Sequence, residues 1–164
     1  MSVPDSRTKT GFVLGTDEGQ PFWFLNCLAI NKITSDDSRG LLTIADHRMP
    51  AGFAPPPHIH QASDEAFLVI DGELAGFCGE QEWRAGPGSL VYMPHGIPHG
   101  FTVSEAGPGR ILVIVSPGGF DQFVAAAGEP ASELRLPEPA MPDPVLITRL
   151  AAAHGIQILP PPQG

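Results

Sequence analysis

The sequence predicts an all-β domain, a sandwich or a closed barrel. Between Phe22 and Ser116 one short apolar run follows another, with turn signals about every 8–12 residues. The 19 glycines and 19 prolines are spread between these runs, which indicates turns and not disorder. No helical periodicity interrupts the series.

Taken in order, the strand candidates begin with "FWFLNCLAI" at 22–30, read as one strand, and a polar turn, "TSDDSRG", at 34–40. "LLTIADHRM" at 41–49 alternates in its second half, so Asp46 and Arg48 face water while His47 and Met49 face inward. "HIH" at 58–60 follows three prolines, which sit at a strand entrance and not inside a ladder. "EAFLVI" at 65–70 runs into Asp71-Gly72, a hairpin signal, and then "ELAGFC" at 73–78. "EWR" at 82–84 lies beyond a turn at Gly79, and "SLVYM" at 89–93 beyond "AGPG". "HGFTV" at 99–103 and "RILVIV" at 110–115 complete the set. "RILVIV" is apolar on both faces, which suits a closed structure with an outer layer over part of it.

The barrel core is thus expected over about 22–116, and a helical extension over about 117–164, within one domain of 164 residues. "GFDQFVAAAG" at 119–128 suits a short helix, and the Pro-rich stretch 129–142 suits irregular surface chain. Asp143-Pro144 makes an N-cap and first-turn pair, and Gly155 a C-terminal stop, so 144–154 reads as a helix.

Net charge is −9 without a Lys/Arg cluster, so a nucleic-acid partner or an anionic membrane surface is not expected. No apolar run approaches the roughly 20 residues of a spanning helix, and the first residues lack the apolar core of a secretory signal. Cys27 and Cys78 both lie in apolar runs and read as small buried thiols, which fits a reducing cytoplasm.

"PPPHIHQASDE" at 55–65 carries the chemistry. Residues two apart on a strand share a face, so His58 and His60 enter one space. The short "QASD" loop lets Glu65 return beside them, and His99 follows a strand and a Pro-x-Gly turn. Two histidines on a strand are more often core or surface residues than ligands. Three imidazoles with one carboxylate, however, make a site for one divalent transition metal per chain (Fe, Mn, Ni, Co, Zn or Cu) with positions left open.

The spacing is also informative. Gly52, His58-x-His60, Glu65 and Gly72 form one block; Gly88, Pro94-x-Gly96 and His99 form a second. This pattern resembles the two signature motifs of the cupin superfamily at every glycine, proline and ligand position. It departs only at Val103, where many members have Asn. The resemblance implies a cupin jelly-roll barrel (a double-stranded β-helix) over about 40–118, with His58, His60, Glu65 and His99 as metal ligands. "PPPHIHQASDEAFLVIDGEL" and "PGGFDQF" look most like bacterial single-domain cupins related to quercetin 2,3-dioxygenase. That likeness implies a dioxygenase using O2 on a flavonol-like or other enolisable aromatic small molecule, with Glu65 also accepting the substrate proton. A non-redox isomerase or polyketide cyclase and a small-molecule-binding protein without catalysis are the competing readings.

Phe67 shares parity with Glu65, and Phe101 with His99, so both are expected to line the metal cavity. Phe53, Trp23, Tyr92, His47 and Met49 are further candidates for substrate contact, against the plainer reading of core aromatics and a satisfied strand histidine. His95 reads as a turn residue and His154 as a helix-end cation. "TGFVLG" at 10–15 looks like a short strand that could pair across the two-fold axis of a homodimer.

Overall fold

In a computed structural model, residues 10–160 are described. Twelve strands and two helices follow in order: β1 (Gln20–Phe24), β2 (Cys27–Ile33), β3 (Thr43–Met49), β4 (His58–His60), β5 (Asp64–Asp71), β6 (Leu74–Cys78), β7 (Gln81–Ala85), β8 (Leu90–Met93), β9 (His99–Val103), β10 (Gly109–Ser116), α1 (Phe120–Ala127), β11 (Glu129–Pro130), α2 (Pro144–Ala153) and β12 (Ile156–Ile158). They form two antiparallel sheets, ordered β11-β1-β2-β3-β10-β5-β8 and β12-β4-β9-β6-β7. The expected jelly-roll holds. The main core lies between the sheets, where Phe67, Val69, Ile111 and Val113 of the first meet Leu74 and Val103 of the second. No helix among the described residues is long and apolar enough to cross a membrane.

Period-2 alternation explains most of this core. In β10, Ile111, Val113 and Val115 are buried, and the residues between them face out. The outer face is partly covered, as the sequence suggested. Phe12 and Leu14 line a surface groove together with Ile44, Ile70 and Leu112. Lys32 Nζ donates to the carbonyls of Gly15 (2.8 Å) and Thr16 (2.7 Å), and Arg48 Nη2 bonds Asp17 Oδ1 at 2.7 Å. Residues 11–15 therefore run as irregular chain clamped across the sheet, not as the expected strand.

The same cover changes Asp46. Its outward parity holds, yet it is fully buried. Arg110 grips it with two bonds, Nε to Oδ1 at 3.1 Å and Nη2 to Oδ2 at 2.7 Å, and Arg48 Nη2 reaches Oδ2 at 3.3 Å. A carboxylate taken out of water requires such partners.

Three connections differ from the sequence reading. The run 22–30 is not one strand but a hairpin, with Leu25 (φ 49°) and Asn26 (φ 67°) in the left-handed region as its two-residue turn. An apolar Leu in that position hides the turn. The Asp71-Gly72 pair is not a hairpin: β5 pairs with β10 and β8, whereas β6 pairs with β9 and β7. It is the corner where the chain leaves one sheet for the other. β12, unexpected in "IQILPP", pairs with β4 and closes that edge of the second sheet. The two helices stand where expected. Asp143 caps α2 by accepting from Val145 N and Leu146 N, and Gly155 follows at φ 74°.

The corner at Gly72 tests this topology. Its φ is 83°, and a Cβ there would meet the Pro108 carbonyl oxygen at 2.5 Å. Gly72→Ala is expected to lower stability by about 1–3 kcal/mol, measured by urea unfolding. A mere hairpin turn open to solvent would give a loss well below that.

Candidate metal centre

The two sheets bring four polar side chains to one point. His58 and His60 project together from β4, and His99 opens β9, directly opposite His58 in the ladder. Glu65 comes from β5 of the other sheet. The candidate ligand atoms all lie within 4.8 Å of one another, and such a cluster can hold a metal ion. The rings pack closely: His60 and His99 stack at 5.5 Å between centroids, and His58 meets His99 edge-on at 4.5 Å.

Hydrogen bonds around the cluster fix how the rings are protonated. His58 Nδ1 lies 2.9 Å from the Pro56 carbonyl oxygen, and His99 Nδ1 lies 3.0 Å from that of Ile97. A carbonyl only accepts, so each Nδ1–H donates. The neutral ring then presents a bare lone pair at Nε2. All three Nε2 atoms converge on Glu65 Oε2, at 2.9 Å from His99, 3.2 Å from His60 and 4.0 Å from His58. A carboxylate also only accepts. His60 Nε2 is buried and, despite its 3.2 Å approach, makes no hydrogen bond. With the rings neutral, the His58 and His99 Nε2 lone pairs and the carboxylate are acceptors aimed at one buried point, a demand met by a proton between His99 and Glu65, 2.9 Å apart, or by a cation. The donor set, three neutral imidazoles and one carboxylate, suits a divalent transition metal, and backbone carbonyls already orient two of the rings.

The electrostatics agree. Burial works to raise the Glu65 pKa, but His60, His99 and His58 outweigh it and hold the carboxyl well below its usual range. Burial likewise works to lower His99, yet the bond to Glu65 wins and raises it. Burial dominates at His58 and lowers it to about 4.

A cavity of about 80 Å³ opens onto His58 and Glu65. Phe67, Phe101, Phe53 and His47 line it, as the sequence suggested. Phe101 joins the other two phenylalanines, with ring centroids 5.1 Å from Phe67 and 6.2 Å from Phe53. Three expected residues do not line it. Trp23 points outward between inward-facing Phe22 and Phe24; its Nε1 donates to the Arg135 carbonyl at 3.0 Å, and Arg135 lies over the ring. Tyr92 alternates with buried Met93, stands exposed, and donates to Asp64 Oδ2 at 2.9 Å. Met49 is buried in the core but pairs with Gly109, one inward step past the His47–Ile111 pair, and does not reach the cavity.

The sequence reading missed the opposite wall. Phe24, Phe120, Phe123, Ile147 and Ile156 line the cavity from β1, the two helices and β12. Spacings 120/123/124 and 147/151 carried a helical apolar stripe, the one available signal. Asp121 seats α1 by accepting from Ser35 N at 3.1 Å and from the Ser35 hydroxyl.

A double-sheeted jelly-roll with a three-histidine, one-carboxylate cluster between its sheets defines a class of small β-barrel proteins. Residues 46–115 match the family model of the cupin domain. KdgF from Halomonas sp. superposes with a TM-score of 0.59 at 18% identity, over 69% of this chain and 98% of that one. The polyketide cyclase RemF from Streptomyces resistomycificus gives a TM-score of 0.57 at 17% identity, over 79% and 89%. An oxalate decarboxylase variant from Bacillus subtilis gives 0.57 at 20% identity, over 71% of this chain and 33% of that one. At these identities the likeness is one of fold. No curated protein matches the sequence.

His47 yields a test of the cavity's dryness. Burial lowers its pKa from 6.5 to about 4. As pH falls from 6.5 toward 4, the unfolded chain takes up a proton that the folded ring refuses, so stability is lost across that window. Relative to His47→Gln, the wild type should lose up to about 3 kcal/mol between pH 7 and 4.5, read from urea midpoints. Parallel pH profiles for the two proteins would contradict a buried neutral ring.

Proposed function

We propose that the protein is a metal-dependent enzyme that turns over a compact, largely apolar, enolisable molecule with oxygen as co-substrate. One observation carries this reading: a cluster of three imidazoles and a carboxylate presents His58 and Glu65 to a cavity whose remaining lining, His47 and the Cys27 thiol apart, is apolar. The likeness of the first motif to quercetin 2,3-dioxygenase-like cupins supports the oxygen step. His58, His60, Glu65 and His99 are the residues that would hold the ion. A bound divalent metal supplies Lewis acidity that lowers a substrate pKa and, if redox-active, electron exchange with oxygen.

The chain's own residues do the rest. Phe53, Phe67 and Phe101 exclude water and take up a flat ring. The Glu65 carboxylate, ionised in the resting site, can accept the proton of an enol or phenol brought beside it. Among the described residues no Arg or Lys lines the cavity, which weighs against dianions and phosphorylated sugars. Size narrows the choice further. Where about 10–15 Å³ holds one water, a cavity of about 80 Å³ holds one substituted ring, so a single-ring phenol or 1,3-diketone fits better than a three-ring flavonol. The same apolar lining suits a cyclase or isomerase substrate, and such a reaction needs no oxygen.

Oxygen-electrode traces separate these readings. Protein loaded with Fe²⁺, Mn²⁺, Ni²⁺ or Co²⁺ is expected to consume oxygen with compact phenols or 1,3-diketones. Glu65→Gln should keep part of the metal and lose turnover about 10²–10⁴-fold. Absence of oxygen uptake with all four metals would overturn the dioxygenase reading, and anaerobic turnover of a diketone or polyketide-like substrate would establish the cyclase or isomerase class. Phe67→Ala should raise KM and leave metal content unchanged, as measured by plasma emission.

A further inference from the structure

His47 sits in the wrong place for a core residue. It lines the cavity and is 8% exposed, and its Nε2 is buried with no hydrogen-bond partner. It is separate from the cluster in sequence and in the sheet: β3 and β5 lie on opposite sides of β10, with His47 opposite Ile111 and Glu65 opposite Val115. Rings surround it. Phe24 meets it edge-on at 6.1 Å between centroids, and Phe120 lies 5.9 Å away. Phe120 also lies 6.2 Å from His60, so this one ring stands between the two imidazoles.

A buried polar atom left unpaired is destabilising, and a Leu or Phe here would avoid that cost. Phe24, Phe120 and Phe123 offer no acceptor or donor that could relieve it. Away from the cluster the lining is apolar except for the Cys27 thiol, which is turned to the Leu25 carbonyl at 3.7 Å, so among the described residues His47 is the one strong hydrogen-bonding side chain there free to meet an occupant. The cavity thus has two polar poles, the His58–His60–Glu65–His99 cluster and the His47 ring, with hydrocarbon walls between.

We infer that His47 is a specificity-determining residue: its ring hydrogen-bonds the second polar group of a compact, uncharged substrate whose first polar group faces the cluster. This inference rests on the cavity being the substrate site. It narrows the substrate to an uncharged molecule of about one ring bearing two separated hydroxyl or carbonyl groups. His47 forms no bond to the reacting atoms and positions the molecule for them. A site built to hydrogen-bond such a group discriminates strongly against the analogue that lacks it.

Binding, not turnover, is the test. Zn²⁺-loaded protein under argon is titrated calorimetrically with phenol, which has one polar group, and with catechol, resorcinol and hydroquinone, which add a second at three different positions. In the wild type, at least one diol should bind about tenfold more tightly than phenol. In His47→Leu that advantage should vanish while phenol affinity stays within about twofold of the wild-type value. His47→Gln, which keeps a donor and an acceptor, should restore part of it, and this separates a lost hydrogen bond from a deformed cavity. If phenol binds but no diol outperforms it, or if the advantage survives in His47→Leu, the role of His47 is overturned and the cavity reading stands. If none of the four binds the wild type at millimolar concentration, the cavity reading falls and the role of His47 falls with it.

Discussion

Everything in this molecule turns on a mismatch of charge. With the rings neutral, the Nε2 lone pairs of His58 and His99 converge with a carboxylate oxygen inside a buried space, His60 Nε2 beside them, and these groups are acceptors. Without a proton or a cation between them they repel. Backbone carbonyls lock two of the rings with Nδ1 protonated, so those rings cannot relieve the repulsion by switching tautomer. A cation at the centre removes the conflict. The fold therefore has to hold, against local repulsion, four side chains drawn from two different sheets.

The jelly-roll supplies that rigidity. His58 and His99 are a ladder pair on neighbouring strands, and β12 closes the far edge of β4, so two of the three histidine-bearing positions are fixed by backbone bonds on both sides. Glu65 is set by β10 on one side and β8 on the other. The Gly72 corner sends the chain from β5 to the opposite sheet, and the large apolar core between the sheets holds them in register. The C-terminal helices then do a separate job. They close the cavity over the cluster with Phe120, Phe123 and Ile147, and so decide what reaches it.

How much of this was legible in the sequence follows from which physics is local. The ligand-type residues and their shared face were readable, because H-x-H and a motif spacing are short-range facts. So were the Asp143 cap and the inward parity of Phe67, Phe101 and His47. Features that depend on what packs against a strand were not. Asp46 obeys the alternation rule, yet a clamped N-terminal stretch buries it. Asp71-Gly72 has the chemistry of a hairpin and serves as a corner, since only the tertiary partners of β5 and β6 decide between the two. Leu25-Asn26 hides a turn in an apolar run. Trp23 and Tyr92 were assigned inward as aromatics, although the alternation set by Phe24 and Met93 turns both outward.

The central claim is that His58, His60, Glu65 and His99 together hold one divalent ion. X-ray absorption on protein loaded with a single equivalent of Zn²⁺ or Co²⁺ tests it directly, because imidazole rings give a distinctive multiple-scattering pattern. The account requires three imidazole nitrogens at about 2.0–2.1 Å and carboxylate oxygen at about 2.0–2.2 Å in the first shell, with one imidazole lost in each of His58→Ala, His60→Ala and His99→Ala. A shell with fewer than three imidazoles in the unaltered protein, or one containing sulfur from Cys27 or Cys78, would contradict it.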